Sequence, residues 1–303
     1  MRLRQSGFGW VVQAPAKLNL FLEVLGKRAD GYHDLETVMV AINLFDTLIL
    51  NEESSGEITL RCQHAGAILS RTNRARDEVP ETRDNLVVRA AELLRSRCGV
   101  QRGVHIDLIK RIPAAAGMAG GSSDAAAVMF ALNLIWKLGL SEIELRRLAS
   151  EIGSDVCFFL SSASAATCRG RGEILEPCPL PLRLYFVVAR PDSGLSTALV
   201  YRHCRPEAEP RGARELLQAL QRGDLQRASQ QLRNSLQPPA ESLNADVRQL
   251  KEEFSRLPVV GHMMTGSGTA YFGLCQNRQS AMTAAARLRA RGLSRVFVAE
   301  SPP

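Results

Sequence analysis

Alternating hydrophobic and polar positions predict strands in the first third of the chain. Apolar side chains occupy every second position over residues 18–24, which is the period-two pattern of a half-buried strand. A glycine-containing turn over residues 27–34 leads to a second strand-like run over residues 37–50, and residues 104–108 alternate in the same way. Segment 63–83 is polar and aperiodic, so we expect a long surface loop there.

Cap residues and a longer apolar period predict helices in the same part of the chain. The Asp-Asn pair at residues 84–85 would cap a helix that runs to residue 97. Residues 125–138 are apolar nearly all round, which indicates a buried central helix. Ser141 and Glu144 have the spacing of a capping box and predict the start of a third helix.

The second half of the chain begins after three prolines close to residue 178. Six elements are then predicted in the order strand, helix, strand, strand, helix, strand, at residues 184–189, 196–257, 259–264, 269–274, 279–291 and 295–299. This order is the split βαβ plan, with extra helices in the first crossover. We therefore predict an α+β fold of two domains, an N-terminal β-rich α/β domain over residues 1–178 and a C-terminal ferredoxin-like domain over residues 179–303.

Composition and charge narrow the classes of function. The chain has 303 residues, 45% of them hydrophobic, and a formal net charge of +7. This charge favours anionic ligands such as phosphates. No dense basic run interleaves with aromatic residues, so no nucleic-acid partner is expected, and the cluster Arg71, Arg74 and Arg76 is interpreted as a solvated loop. No apolar run reaches about 18 residues, so no membrane span is expected.

Cysteine and histidine positions argue against disulfides and against a metal held by the protein. The seven cysteines include no CxxC pair, which is typical of reduced thiols. No metal-ligand spacing such as HExxH occurs among the histidines, so we predict no metal ligands in the chain. Residues 1–10 contain no apolar signal core, and we expect a cytoplasmic protein.

A glycine-rich segment before the central helix is the strongest candidate for chemistry. It consists of Pro113, Ala114, Ala115, Ala116, Gly117, Met118, Ala119, Gly120, Gly121, Ser122 and Ser123. Small residues let backbone N–H groups approach an anion, and the following helix presents a partial positive charge at its first turn. The two serines could cap that helix, donate to a phosphate or bind a metal. The segment lacks the Lys-Ser/Thr ending of a Walker A loop, and a tight strand-to-helix turn remains an equal alternative.

Three polar side chains are candidates for the reacting groups. Asp155 follows a glycine, so it is either the N-cap of a helical turn or a general base for a hydroxyl nucleophile. Lys17 and Asn19 lie two apart on a predicted strand and therefore share one face. The lysine is either an ordinary solvated residue at a strand edge or a cation beside an active-site carboxylate or a transferring phosphoryl group.

Two turns carry further candidates. Tyr32 and His33 lie in a turn and are either exposed loop residues or a stacking and hydrogen-bonding pair for a nucleobase. Thr265, Gly266 and Ser267 belong to a segment that is either a plain hairpin turn or a second anion-binding loop.

Taken in order along the chain, these segments resemble the GHMP kinases. The resemblance rests on four stretches: Pro15-Ala-Lys-Leu-Asn-Leu20, the glycine-rich segment, Gly153-Ser-Asp-Val156 and Thr265-Gly-Ser-Gly268. The element Arg28-Ala-Asp-Gly-Tyr-His33 is similar to one branch of the family. That branch uses ATP to phosphorylate the 2-hydroxyl of a cytidylyl-methylerythritol acceptor on the non-mevalonate route to isoprenoid precursors.

The resemblance implies roles for the reacting groups and for the nucleotide site. Asp155 would be the base and Lys17 its electrostatic partner. Residues 113–123 would hold the phosphates of ATP, which carries Mg²⁺, and Asn85 would lie near the nucleotide. Ala119 stands where the family loop usually has glycine, and alanine in a left-handed backbone there would cost about 1–2 kcal/mol.

The resemblance also implies an acceptor site. Its residues would be Asn19, Tyr32, His33, Tyr201, Thr265, Gly266 and Ser267. The two tyrosines and the histidine would recognise cytosine, and Asn19 would contact the methylerythritol end.

Two other functions stay open at this point. One is a different GHMP kinase, for homoserine or a mevalonate-type acceptor, but Tyr32 and His33 argue against it because those acceptors have no base to stack. The other is a non-catalytic ligand-binding protein on the same fold, which has no need of Lys17 with Asp155. The expected partners are ATP and a small molecule, and we expect a monomer or a weak homodimer.

Overall fold

The structure is a computed structural model that describes residues 1, 3–65 and 79–302. The strands are β1 (Leu3–Ser6), β2 (Gly9–Lys27), β3 (His33–Glu53), β4 (Ile58–His64), β5 (Gly103–Lys110), β6 (Ala165–Gly170), β7 (Ile174–Pro177), β8 (Tyr185–Ala189), β9 (Arg233–Asn234), β10 (Gly261–Met264), β11 (Tyr271–Cys275) and β12 (Val296–Glu300). The helices are α1 (Leu86–Cys98), α2 (Gly120–Ile135), α3 (Glu142–Ala149), α4 (Ser154–Leu160), α5 (Thr197–His203), α6 (Arg214–Gln221), α7 (Leu225–Gln230), α8 (Gln237–Leu243), α9 (Ala245–Ser255) and α10 (Arg278–Ala290).

The chain forms two compact units, and the long strands β2 and β3 each contribute residues to both. The first unit consists of Met1–Ala16, Leu44–Ala114 and Ala119–Ser162. The second unit consists of Lys17–Asn43, Ala115–Met118 and Ala163–Pro303. The predicted domain boundary at residues 178/179 stays a prediction.

The first unit is a layer of strands with helices packed beside them. The end of β3 pairs with β5 in antiparallel register, with Leu48 opposite Leu108, and β4 runs parallel to β5. Alternate residues of β5 are buried, as its period-two pattern predicts. Helix α2 packs against α1 and α4 and is buried along most of its length, so the predicted central helix is confirmed.

The second unit contains a four-stranded antiparallel sheet in the order β10-β11-β8-β12. Helix α10 packs on β8, β11 and β12, while α9 packs on β10 and β11. Phe186 of β8 meets Phe272 of β11 edge to face, with ring centroids 5.7 Å apart, in the buried core of this sheet. The predicted α+β fold and its split βαβ arrangement are confirmed.

Local cap signals predict the ends of two helices correctly. Asn85 caps α1, and Gly99 ends that helix in the left-handed conformation with φ of 65°. Ser141 and Glu144 form the complete capping box at the start of α3. Each of these motifs depends only on residues a few positions apart, which is why the sequence predicts them.

Two predicted segments need correction. The predicted helical stretch 196–257 is divided into the five helices α5 to α9, with the short strand β9 between α7 and α8. Gly212 and Gly223 have positive φ values of 71° and interrupt the helical path. The predicted loop 63–83 starts too early, because β4 continues to His64. Residues 66–78, with Arg71, Arg74 and Arg76, lie outside the described residues.

All seven cysteines are free thiols. Burial raises the pKa of Cys62, Cys178 and Cys275 to about 11. Across the described ranges, every helix is too short or too polar to cross a bilayer.

Candidate functional site

Lys17 is a buried lysine in the part of β2 that belongs to the second unit. Its side chain is only 3% exposed, so the interpretation of Lys17 as a solvated surface residue is wrong. The ammonium donates to the side-chain oxygen of Asn19 and, at 2.8 Å, to the carbonyl oxygen of Gly117. The shared face of Lys17 and Asn19 is therefore confirmed, and the ammonium has a fixed position.

Asn19 is buried and hydrogen-bonded to neighbouring strands and turns. Its side-chain N–H donates to Thr37 Oγ1 at 2.8 Å, and its backbone N–H donates to Thr265 Oγ1 at 3.0 Å. Its side-chain oxygen accepts from Lys17 and from the Thr265 hydroxyl. Asn19 thus joins the lysine to the turn that begins at Thr265.

The turn at Thr265 packs tightly against Gly117 within the second unit. A methyl group on Gly117 would lie 2.1 Å from the Thr265 carbonyl oxygen, and one on Gly266 would lie 2.8 Å from the Gly117 carbonyl oxygen. Both glycines also have positive φ, 75° and 56°. Only glycine suits these positions. A side chain on Gly117 would displace the Thr265 carbonyl, and one on Gly266 would displace the Gly117 carbonyl that Lys17 contacts. On the other side of the same turn, the hydroxyl of Ser267 pairs with that of Thr197 at 2.8 Å.

Asn234 is a site residue that sequence reasoning missed. Its side-chain amide donates to the carbonyl oxygens of Met264 and Gly266, both at 2.8 Å, and its side-chain oxygen accepts from the Leu236 N–H. The side chain is buried and holds both sides of the turn at Thr265. Its partners in that turn lie about thirty positions away, so local spacing does not predict these contacts.

The last part of the glycine-rich segment, from Ala119 onwards, belongs to the first unit and leads directly into α2. The helix begins at Gly120, so Ser122 and Ser123 lie inside its first turn. Of the three roles left open for these serines, capping the helix is therefore excluded. The N-cap residue is Ala119, which is left-handed with φ of 55° and ψ of 34° and gives no side-chain cap. The alanine therefore bears the strain that the sequence predicted.

The first turn of α2 offers groups suited to an anion. Its leading backbone N–H groups have no side-chain cap, and unpaired N–H groups at a helix start attract negative charge. The Ser123 hydroxyl is buried and has no hydrogen-bond partner within the described ranges. These donors fit a phosphate, so the residues present are compatible with Mg·ATP.

Asn85 has a structural role at the start of α1. Its side-chain oxygen accepts from the Val87 N–H at 2.9 Å, and its side-chain N–H donates to the Pro80 carbonyl oxygen at 2.7 Å. Both ends of the amide are thus bonded to protein groups. The expected position of Asn85 near the nucleotide stays a prediction.

Asp155 lies at the start of α4 in the first unit. The N-cap residue of this helix is Gly153, and Asp155 is the second helical residue, so the interpretation of Asp155 as an N-cap is wrong. It is half-buried. A carboxylate in the first turn of a helix lies near the positive end of the helix dipole.

The aromatic candidates of the second unit make two separate contacts. The rings of His33 and Tyr201 lie with centroids 5.1 Å apart and an interplanar angle of 32°. Tyr32 is 57% exposed, and the guanidinium of Arg171 lies 4.9 Å from its ring centroid. Burial, and then the charge of Lys27, lower the pKa of His33 below its ordinary value. Arg171 was not predicted, because a cation over a ring has no local sequence pattern.

No group of three or more histidine, cysteine, aspartate or glutamate side chains among the described residues could hold a metal ion.

Comparison with known proteins identifies two family models. Residues 85–163 match the model of the GHMP kinases N terminal domain, and residues 216–293 match that of the GHMP kinases C terminal domain.

Whole-chain relatives share one name. The 4-diphosphocytidyl-2-C-methyl-D-erythritol kinase of Pelotomaculum thermopropionicum is 42% identical over 281 residues, which is 91% of this chain and 92% of that protein. The kinase of the same name from Shouchella clausii is 40% identical over 266 residues, covering 88% and 85%.

Solved structures show the same fold. A crystal structure of 4-(cytidine 5'-diphospho)-2C-methyl-D-erythritol kinase matches with a TM-score of 0.77 and 35% identity over 97% of this chain and 99% of that chain. A homoserine kinase from Cytophaga hutchinsonii matches with a TM-score of 0.72 at 16% identity, covering 99% and 96%. The second match shows the fold alone.

Proposed function

The chain belongs to the GHMP kinases, and we propose that it transfers the terminal phosphate of ATP to the 2-hydroxyl of 4-diphosphocytidyl-2-C-methyl-D-erythritol. The products are the 2-phosphate and ADP. The observation that carries the proposal is the 42% identity to a kinase of that name over 91% of the chain. The reaction would supply isoprenoid precursors in the methylerythritol phosphate pathway.

The proposed phosphate site is the glycine-rich segment, residues 113–123, with the first turn of α2. Phosphoryl transfer needs mostly positioning and charge stabilisation, which backbone N–H groups and a helix start provide. The orphan hydroxyl of Ser123 is a further donor at this place. Mg²⁺ bound to the ATP phosphates supplies counter-charge when present.

We assign Asp155 the role of general base and Lys17 that of the cation. Asp155 takes the proton of the acceptor hydroxyl as the oxygen of that hydroxyl attacks the terminal phosphorus of ATP. Lys17 stabilises the negative charge that develops during transfer. The support for Lys17 is its burial and its two hydrogen bonds, which hold the ammonium in one place without further ordering.

The acceptor's cytosine is assigned to the aromatic side chains of the second unit. His33 already lies against the ring of Tyr201, and Tyr32 presents an exposed ring that a base could cover. A base stacked on an aromatic ring gains about 1–3 kcal/mol. His33 adds hydrogen bonding, which stacking lacks. Asn19, with Thr265, Gly266 and Ser267, is assigned to the remainder of the acceptor.

A panel of acceptors tests the proposal. ADP release by the purified protein is measured with Mg·ATP and, in turn, the cytidylyl-methylerythritol acceptor, homoserine and mevalonate. Turnover with the cytidylyl acceptor alone supports the proposal. Turnover with homoserine or mevalonate instead identifies a different GHMP kinase, and silence with every acceptor identifies a ligand-binding protein.

The compartment and the assembly state are also proposals. Reduced cysteines and a pathway of small phosphorylated intermediates support a cytoplasmic location. A monomer or a weak homodimer is the expected form, which light scattering over a concentration series would test.

A further inference from the structure

A buried ionic cluster lies in the first unit, outside the residues assigned above. Lys110 ends β5, and its ammonium donates to the carboxylates of Asp46 on β3 and of Asp124 on α2, the latter at 2.7 Å. The three side chains are at most 3% exposed. Removing three charges from water is unfavourable, so stability alone explains such a cluster poorly.

The cluster joins the two ends of the glycine-rich segment. At the entry, the carboxylate of Asp46 accepts from the backbone N–H of Arg111 and, at 2.9 Å, from that of Ile112. At the exit, Asp124 follows Ser123 in the first turns of α2. Because one ammonium bonds both carboxylates, the strand that enters the segment and the helix that leaves it are fixed to each other.

Gly120 brings the first turn of α2 directly onto this ammonium. A methyl group on Gly120 would lie 3.2 Å from Lys110 Nζ and 2.9 Å from Ile112 Cγ2. The backbone at the start of α2 therefore packs directly against the Lys110 side chain. A shift of the ammonium would move the N–H groups that the proposed function directs at phosphate.

Lys110 keeps its charge in this environment. Burial lowers the pKa of the amine, but the carboxylates of Asp124 and Asp46 outweigh burial and raise the pKa to about 12. Asp46 has the two backbone donors as well. Asp46 therefore keeps hydrogen-bond donors when Lys110 is replaced, whereas Asp124 loses its main donor.

We propose that Lys110 is a positioning residue that fixes the entry and exit of the glycine-rich segment and so preorganises its N–H groups for the phosphates of ATP. The inference rests on the proposed function, because it takes residues 113–123 as the phosphate site. Lys110 acts through the main chain of Ile112 and Gly120.

The test compares nucleotide affinity with stability in matched variants. The Kd for Mg·ATP is measured by calorimetry, the thermal midpoint by circular dichroism, and KM for both substrates by ADP release. The variants are Lys110→Met, the double variant Lys110→Met/Asp124→Leu, and Asp124→Asn. The double variant removes the carboxylate that Lys110→Met leaves unpaired, so it should regain much of the lost stability.

Arg102 provides the control. It donates to Glu52 on β3 and to the carbonyl oxygen of Trp136 at the end of α2, at 2.7 and 2.6 Å. It thus ties β3 to the C-terminal end of α2, opposite the first turn of that helix. Arg102→Met should lower the thermal midpoint slightly and leave the Kd for Mg·ATP unchanged.

The expected result is a rise of about tenfold or more in the Kd for Mg·ATP in both Lys110→Met and the double variant, because small displacements at a phosphate site are costly. Asp124→Asn should show a smaller rise in the same direction. KM for the cytidylyl acceptor should change less than about threefold. If Lys110→Met does not fold, the double variant carries the test.

Two results would overturn the inference. One is ATP affinity that returns to the wild-type value together with stability in the double variant, which would make Lys110 merely structural. The other is unchanged ATP affinity in any folded Lys110 variant. Wild-type protein that does not bind Mg·ATP would overturn the proposed function itself, and the inference with it.

Discussion

Ala119 allows a quantitative test of strain in the glycine-rich segment. Its backbone is left-handed, with φ of 55° and ψ of 34°, which costs a non-glycine residue about 1–2 kcal/mol. Ala119→Gly removes that strain but gives the unfolded chain more freedom, which costs about 0.4–1 kcal/mol. The midpoints of these two ranges differ by about 0.8 kcal/mol, so the variant should be more stable by about that amount.

Ala114→Gly is the matched control, since residue 114 lies in the same segment but outside the left-handed region. This variant increases the conformational entropy of the unfolded chain and relieves no strain in the folded state. It should therefore be less stable by about 0.4–1 kcal/mol. For a chain of this size the thermal midpoints should move in opposite directions by roughly 1–3 °C. Differential scanning calorimetry measures both. A lower midpoint in Ala119→Gly, equal to that of the control, would refute the left-handed backbone at residue 119.

Three further predictions concern the acceptor site and its support. Tyr32→Ala should raise KM for the cytidylyl acceptor about 5- to 150-fold and leave KM for ATP unchanged, because stacking is worth about 1–3 kcal/mol. Equal effects on both KM values would show that Tyr32 does not stack on the base. Since burial keeps the pKa of His33 below its ordinary value, His33 is neutral above about pH 6.5, and KM for the acceptor should be constant there and rise as protonation begins at lower pH. If KM for the acceptor has the same pH dependence in His33→Gln as in the wild type, His33 is not the group that titrates. Asn234→Ala should lower the free energy of unfolding by about 2–4 kcal/mol and should also lower kcat. The control Asn277→Ala removes only the cap of α10, so it should lower the free energy of unfolding by about 1 kcal/mol and leave kcat unchanged. If the two variants have the same kcat in steady-state assays, Asn234 has no positioning role.

Local patterns predicted the parts of the fold that depend on nearby residues. The capping box of α3 and the β10–β11 hairpin follow from residues a few positions apart, and the structure has both. The start of α2 was missed by a few residues, because Ser122 and Ser123 are good caps and the left-handed Ala119 is a poor one. Here the packing of Gly120 on Ile112 overrides local preference.

The contacts that hold the residues of the candidate site in place could mostly not be predicted from the sequence. The period-two pattern predicts the correct face for Lys17, but its hydrogen bond to Gly117 joins residues a hundred positions apart. The clamp formed by Asn234 and the cluster around Lys110 depend on similarly distant partners. Periodicity tells which face a residue occupies, while only the tertiary structure tells what covers that face.

A double-mutant cycle of Lys17 and Asp155 tests the central claim most directly. The claim is that these two side chains act together in phosphoryl transfer. The measurement is kcat for the cytidylyl acceptor at saturating Mg·ATP in Lys17→Met, Asp155→Asn and the double variant. We predict that each single change lowers kcat by about 10²- to 10⁴-fold and that the double variant is no slower than the slower single one, as for groups that act as a unit. A near-normal rate in Asp155→Asn, or losses that multiply in the double variant, would contradict it.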